Sequence, residues 1–353
     1  MKNEKLLLKG NDAVAEAAIR AGCTAYFGYP ITPQNEIIAY MASHLLEKGR
    51  IFIQAESEVA AINMVYGAAA AGARAMTSSS SPGISLKQEG LSYAAGADIP
   101  LVVVNMVRGG PGLGSIAPSQ SDYFQSTRGG GHGDYYCIVL APKSVQECAD
   151  LTYLAFDLAD QYRIPVIVLA DGMIGQMMEG VVLPPERSLE DLPKRDWTVG
   201  HNQNRASRHL TSLHLVPEEL EEATKKRFRR YEEIAEKEVR FEIAGPGDAD
   251  LTFVAYGTAA RVAWGAKNLA EKEGLRLRVF RPITLWPFPS LELAEIAKTG
   301  KPILAVEMSL GQMVEDVRLA VLGKAPVHLL GHSGGVIPTE EEVFAEAKRI
   351  LRK

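Results

Sequence analysis

Cysteine is scarce in this sequence. Three residues in 353, Cys23, Cys137 and Cys148, lie far apart and form no CxxC pair. An iron–sulfur cluster takes about four thiolates, so this chain cannot hold one by itself. No His or Cys cluster has metal-site spacing either. We read the three as reduced cytosolic thiols, two of them core residues. Basic blocks are also missing, and the net charge is −5, which argues against nucleic acid as the main partner. The apolar runs are strand-length, short of the ~20 residues a membrane helix requires. Residues 1–12 lack the apolar core of a secretory signal. These absences point to a cytoplasmic chain with no membrane partner.

What is present is ordinary in bulk. Hydrophobic residues make up 46% and charged residues 23%, as in globular proteins generally. The length makes two domains the prior. The chain then reads as strands and helices in alternation. Strands are expected at 5–9, 24–29, 51–54, 74–77, 99–107, 136–140 and 164–170. Helices are expected at 12–21 with Asn11 as cap, at 34–46 behind Pro33, and at 59–71, 84–95 and 145–161, the last capped by Ser144. This succession with short turns describes an open, mainly parallel α/β sheet over 1–180. Residues 181–247 change character to a charged linker. They end in a connector helix over 217–240, with Leu220, Thr224, Phe228, Tyr231 and Ala235 on one face. A second α/β module occupies 248–353. Its strands are expected at 251–256, 275–280, 301–307 and 327–330, with a turn at Gly257-Thr258. Its helices are expected at 259–273, 290–298, 311–322 and 339–351.

The stretch 54–83 is the most informative. Glu56 and Glu58 stand between a strand and a helix so rich in Ala that it should be buried on most sides. A ligand can meet an acid at the mouth of such a helix. The plainer alternative is a first-turn acid that faces water and complements the helix dipole. A polar turn is expected at 78–83. Upstream, Tyr29-Pro30-Ile31-Thr32-Pro33 is held extended by its two prolines. Thr32 is either a helix cap or a hydroxyl aimed at a ligand. Downstream, a buried strand ends at Arg108 and opens into a long glycine-rich segment, 109–134, of a length that is usually functional. The fork of Arg108 suits a carboxylate or phosphate. Its structural alternative is an ion pair with Asp122 or Asp134.

Two generic signatures fail on context. Gly112-Leu113-Gly114-Ser115-Ile116-Ala117 fits a dinucleotide fingerprint, but Pro118 and a polar run follow where a helix must begin. Gly331-His332-Ser333-Gly334-Gly335 fits a nucleophile elbow. Yet Pro338 delays the helix, and no histidine follows His332. There is no G-x-x-x-x-G-K-[ST] phosphate loop.

Thr32, Glu58, Arg108 and the Gly/His loop remain, all expected at strand ends of one sheet. The runs YPITP, ESE before the Ala-rich helix, MTSSSSPGISLKQEG and NMVRGGPGLG closely resemble the α subunit of 2-oxoacid:ferredoxin oxidoreductases. The likeness is to the branched-chain (3-methyl-2-oxobutanoate, or ketoisovalerate) type and covers the whole chain. It implies a thiamine-diphosphate pyrimidine-binding domain followed by a transketolase C-terminal-like α/β domain. The position of Glu58 then hydrogen-bonds the aminopyrimidine N1′, and its carboxyl proton favours the imino tautomer. Tyr29, Pro30, Ile31, Ser81 and Pro82 would line the cofactor with it. Thr32 and Arg108 would face the substrate carboxylate. His132 would lie in a loop near the site, or serve only that loop.

The resemblance also says what is missing. Such enzymes anchor Mg²⁺ and diphosphate through GDG and a following Asn, and Ala170-Asp171-Gly172 is not that motif. It implies that Mg²⁺, half of the thiamine diphosphate site and the [4Fe–4S] clusters belong to partners: a β subunit, a γ subunit and a ferredoxin-like subunit of a hetero-oligomer. The implied reaction takes a 2-oxoacid, coenzyme A and ferredoxin to acyl-CoA, CO2 and reduced ferredoxin. Other readings are a 2-oxoglutarate enzyme, a non-catalytic docking subunit, or a dehydrogenase using 112–117.

Overall fold

The computed structural model describes residues 5–199 and 207–352. Part of the expected linker, 200–206, therefore lies outside the described residues. The first body contains β1 (Leu6–Lys9), α1 (Gly10–Arg20), β2 (Ala25–Gly28), α2 (Asn35–Glu47), β3 (Ile51–Gln54), α3 (Glu58–Ala70), β4 (Ala75–Ser79), α4 (Ser81–Gly96) and β5 (Leu101–Val107). It continues with α5 (Tyr123–Thr127), β6 (Ile138–Leu140), α6 (Val145–Tyr162), β7 (Pro165–Asp171), α7 (Gly172–Gln176) and β8 (Met178–Val181). Helix α8 (Pro217–Lys237) leads to β9 (Phe241–Ala244). The second body has β10 (Leu251–Val254), α9 (Gly257–Lys272), β11 (Leu277–Pro282), β12 (Thr284–Trp286), α10 (Ser290–Ala297), β13 (Ile303–Glu307), α11 (Met313–Val321), β14 (Val327–Gly331) and α12 (Glu340–Leu351).

The main sheet has the order β12-β6-β7-β5-β4-β2-β3. Every pairing is parallel except that of the edge strand β12 with β6. Helices α1, α2 and α6 cover one face with one apolar core. Helices α3 and α4 cover the other, and that core runs on to residues of α10 and α11. The second sheet, β14-β13-β10-β11-β9, carries α9 and α12 on its far face. Strand β9, from the stretch read as a linker, thus joins the second sheet, and β12 joins the first.

The order of the main sheet fixes where a ligand can sit. From β2 the chain moves outward to β3, whereas from β4 it moves the other way to β5. Neighbouring strands β2 and β4 therefore bound a topological switch point, and a crevice opens beyond their carboxyl ends.

Several local expectations are corrected. Asn11 is not a cap. It lies in the first turn of α1, fully buried, and its Nδ2 donates to Pro33 O at 2.8 Å and Glu36 Oε2 at 2.9 Å. Pro33 and Thr32 precede α2, whose cap is Gln34. The run 78–83 is not a turn: Ser78 and Ser79 finish β4, and Ser81 already begins α4. Gly257 and Thr258 likewise start α9. Helix α3 is buried on one face only. Val59, at 43% exposure, stands with Asn63 and Gly67 on an open face. On α8, Arg227, Tyr231 and Ile234 are the buried residues, and Leu220 and Ala235 are exposed. The stack of Tyr136 on Trp286, with Phe228 and Tyr231 packed against it, sets that rotation. All three cysteines are buried, and burial pushes the Cys23 and Cys137 thiols up to about 12. Ser144 does cap α6, accepting from Glu147 N at 3.2 Å.

Candidate active site

Four segments meet at the carboxyl ends of β2 to β5. The first is the loop 29–33. Its carbonyls are tied from beneath: Gln34 Nε2 donates to Tyr29 O at 3.5 Å, Arg108 Nη1 to Thr32 O at 3.0 Å, and Asn11 and Gln176 side chains to Pro33 O at 2.8 Å each. Gln34 is itself held by Ser78 Oγ at 2.5 Å, which pairs with the Tyr26 hydroxyl at 2.6 Å. The loop is pinned by its backbone, while Tyr29, Pro30 and Thr32 remain exposed. Among the described residues the Thr32 hydroxyl meets only Asn35 Nδ2, at 3.5 Å, and it is not the cap of α2.

Glu58 opens α3. Ser57 caps the helix, accepting from Ala60 N at 3.1 Å, so Glu58 occupies the first helical position, where a carboxylate complements the dipole. Its side chain is 7% exposed. No hydrogen bond to its carboxyl exists among the described residues. It lies against the start of α4. A Cβ on Gly83 would stand 2.6 Å from Glu58 Oε1 and 2.1 Å from Ser79 Oγ. Only glycine lets the carboxyl in so close to that helix.

Arg108 closes the group. Ser81 Oγ accepts from Arg108 N at 3.1 Å and lies 3.2 Å from Arg108 O. The guanidinium donates to Thr32 O and to Leu113 O, the latter at 3.2 Å, and its Nε is buried without a partner among the described residues. It forms no ion pair with a carboxylate among the described residues. Asp122 instead accepts from Asn105 Nδ2 at 2.8 Å, and burial raises its carboxyl above the usual range. Asp134 is exposed elsewhere. The structure therefore brings together Thr32, Ser81 and Arg108, with Glu58 beside Ser79 and Gly83.

His132 stands apart. Its carbonyl accepts from Ser92 Oγ at 2.7 Å, near the far end of α4. Eleven residues of helix separate Ser81 from Ser92, roughly 16 Å. There His132 lines a groove of about 1010 Å³ with Tyr93, Leu213, Leu220 and Phe228.

On the strands and helix that lead to this switch point, Thr77 Oγ1, Ser79 Oγ, Ser80 Oγ, Asn105 Oδ1 and Lys87 Nζ are buried without hydrogen-bond partners among the described residues. Buried polar atoms are ordinarily satisfied, so a cluster of orphans at a switch point reads as a cradle for a polar ligand. Sequence reasoning missed Lys87, which is fully buried in α4. Its signal was spacing, four residues after Gly83 and three before Gly90.

Asp171 has a different task. It accepts from Met173 N, Ile174 N and both the Thr258 hydroxyl, at 2.6 Å, and Thr258 N, at 2.9 Å. It caps α7 and fastens the second body to the first. No cluster of three or more potential metal ligands exists among the described residues.

Residues 16–244 match the pyruvate flavodoxin/ferredoxin oxidoreductase family in its thiamine-diphosphate-binding part. The chain belongs to this family. Residues 249–343 match pyruvate:ferredoxin oxidoreductase core domain II. Ketoisovalerate oxidoreductase subunit VorB of Methanothermobacter marburgensis is 49% identical over 347 residues, 98% of this chain and 96% of that one. The 2-oxoglutarate synthase subunit KorA of the same organism is 38% identical over 367 residues, covering 97% and 98%. Among solved structures, the 2-oxoglutarate:ferredoxin oxidoreductase of Magnetococcus marinus, with 2-oxoglutarate, coenzyme A and succinyl-CoA bound, superposes with a TM-score of 0.89 at 29% identity. It matches 99% of this chain, which spans 65% of that one. The chain is thus a 2-oxoacid:ferredoxin oxidoreductase subunit with a thiamine-diphosphate-binding type of α/β domain. No described helix is long and apolar enough to cross a membrane.

Proposed function

We propose that this chain supplies the pyrimidine side of a thiamine diphosphate site in an oxidoreductase that converts 3-methyl-2-oxobutanoate, coenzyme A and oxidised ferredoxin to acyl-CoA, CO2 and reduced ferredoxin. One observation carries the reading: Glu58, a sheltered carboxyl with no hydrogen-bond partner among the described residues, sits at the same switch point as Arg108, a guanidinium with no carboxylate partner among them. The orphaned hydroxyls of Thr77, Ser79 and Ser80 fit a bound polar heterocycle. Thiamine diphosphate supplies the electron sink for loss of CO2 from a 2-oxoacid.

The chain's own residues then divide the work. Glu58 Oε holds or gives up a proton at the pyrimidine, in a site the first turns of α3 and α4 keep from water. Ser81, Pro82, Tyr29, Pro30 and Ile31 form the rim around it. Arg108 binds the substrate carboxylate, an always-charged fork against a planar anion. The Thr32 hydroxyl faces the same group from the pinned loop. His132, at the far end of α4, has no part in this proposal.

The open face of α3, and β3 with Ile51 and Ile53 exposed, supports a partner subunit that closes the cofactor's other half and carries Mg²⁺ and the iron–sulfur clusters. The absence of a GDG anchor around Asp171, whose carboxyl is taken up by Thr258, agrees with that division. The 49% identity to a ketoisovalerate subunit, against 38% to a 2-oxoglutarate one, supports the branched-chain substrate. The test is coenzyme-A-dependent reduction of ferredoxin by the assembled complex. Higher kcat/KM for 3-methyl-2-oxobutanoate than for 2-oxoglutarate is expected. The reverse ratio would overturn the substrate assignment, and unchanged turnover in Glu58→Gln would overturn the catalytic role altogether.

A further inference from the structure

Helices α3 and α4 pack along a stripe that the glycines define. A Cβ on Gly83 would collide with Glu58, and one on Gly90 would stand 2.5 Å from Ile62 Cγ1. Glu58 and Ile62 are one turn apart on α3, and Gly83 and Gly90 are two turns apart on α4. Lys87 lies between the two glycines on the same stripe. Its side chain is therefore pressed into the seam, facing the turn of α3 that begins at Glu58. It has no exposed surface, and Nζ has no hydrogen-bond partner among the described residues.

A lysine in such a place is expensive, because a buried ammonium gives up its hydration. Burial pulls the Lys87 ammonium down to about 8, and the Glu58 carboxylate is the charge that opposes the fall. The other charged groups of the neighbouring elements stand further along. Asp122 is behind Asn105, and Arg108 is beyond Ser81. Neither pairs with Lys87. A fold with only packing to satisfy would place an apolar side chain between two glycines. The cost has a use if the charge acts on Glu58.

We propose that Lys87 is a positioning residue for Glu58: its ammonium, sealed in the seam between α3 and α4, is the counter-charge that holds the Glu58 carboxyl at the mouth of the cradle. The inference rests on the reading that Glu58 meets the cofactor's pyrimidine. Lys87 itself touches neither cofactor nor substrate. It acts through the carboxylate, so its effect must vanish when that carboxylate is gone.

The test is a double-mutant cycle in the assembled complex, read as thiamine diphosphate affinity by calorimetry and as the melting temperature of each variant. Lys87→Met is expected to weaken cofactor binding at least tenfold in the native background. In the Glu58→Gln background it should change affinity less than twofold. Its melting temperature should hold or rise, since the desolvation cost of the buried ammonium outweighs its attraction to Glu58. Equal weakening in both backgrounds, no weakening in the native background, or a lower melting temperature would overturn the inference. Lys87→Gln repeats the cycle with a polar side chain. Should neither variant fold and assemble, the lysine is structural and the inference fails. If instead Glu58→Gln alone binds cofactor and turns over normally, the proposed function has failed, whatever Lys87 does.

Discussion

Two buried glutamates stand at corresponding places in the two bodies of this protein. Glu307 ends β13 just before α11, and Glu58 begins α3 just after β3. Glu307 is fully buried and fully used. Its Oε2 accepts from Ser309 Oγ at 2.6 Å, Gln312 N at 3.0 Å and Met313 N at 3.1 Å, and its Oε1 from Val314 N at 3.1 Å. It fills the anion site at the start of α11 with a group from the chain itself. Glu58 is sheltered almost as well and bonded to nothing in the described chain. The same strand–acid–helix arrangement thus serves the fold in one body and leaves a carboxyl free in the other. Burial alone does not separate the two; the count of satisfied oxygens does.

The largest effect that can break this comparison is on turnover. Glu58→Gln in the assembled complex should lower kcat by about 10²–10⁴, the range of a lost general acid or base. Its unfolding free energy should fall by no more than about 1 kcal/mol, since no hydrogen bond in the chain is lost and only the attraction to Lys87 goes. A stability loss with turnover retained would make Glu58 a second Glu307. The mirror experiment is Glu307→Gln. The new amide N–H groups would face donors that now point at Oε2. A cost of about 3 kcal/mol is expected in chemical denaturation. Below the melting transition kcat and KM should be unchanged. A selective loss of kcat there would show that the second body also takes part in the chemistry.

Arg108→Lys sharpens the comparison at a finer level. The guanidinium spends two donors on the carbonyls of Thr32 and Leu113 and has more to offer. An ammonium lacks the fork needed to hold both loops and a carboxylate together. The KM for the 2-oxoacid should rise about tenfold, roughly 1.4 kcal/mol of binding, with a smaller change in kcat. An unchanged KM would place the carboxylate elsewhere.

Much of this was legible in the sequence where the signal is local and repetitive. The apolar run ending at Val107, interrupted by Asn105, reads as a buried parallel strand, and it put Arg108 at a strand end. The pairing of Ala-rich helix and acid put Glu58 at a helix mouth. What failed was decided by contacts far along the chain. Four consecutive serines carry no periodicity. Their split into strand and helix follows from Ser78 meeting Tyr26 and Gln34, while Ser81 meets Arg108. Asn11 has strong capping preference, but Pro33 and Glu36 claim its amide. The charged helix α8 offered several possible faces, and aromatic stacking on Trp286 chose one. Lys87 drew no notice, because lysines are almost never fully buried.

The smallest effect concerns that lysine and pH. Its folded value, about 8, lies below the ordinary 10.5. Between those two values the unfolded chain binds more protons at this site than the folded one, so stability rises with pH. Below about pH 8 the folded protein carries the whole penalty of a buried ammonium. As pH climbs towards 10.5 the folded lysine is neutral and the penalty fades. Other groups titrate in the same window, so the contribution is read as a difference. From pH 8 to 9 the unfolding free energy of the native chain should gain on that of Lys87→Met by about 1 kcal/mol. Glu307→Gln should show no such difference, since it leaves Lys87 in place. Parallel pH profiles for native and Lys87→Met would mean that Lys87 keeps an ordinary ammonium, and that the seam at Glu58 is as well compensated as the cap at Glu307.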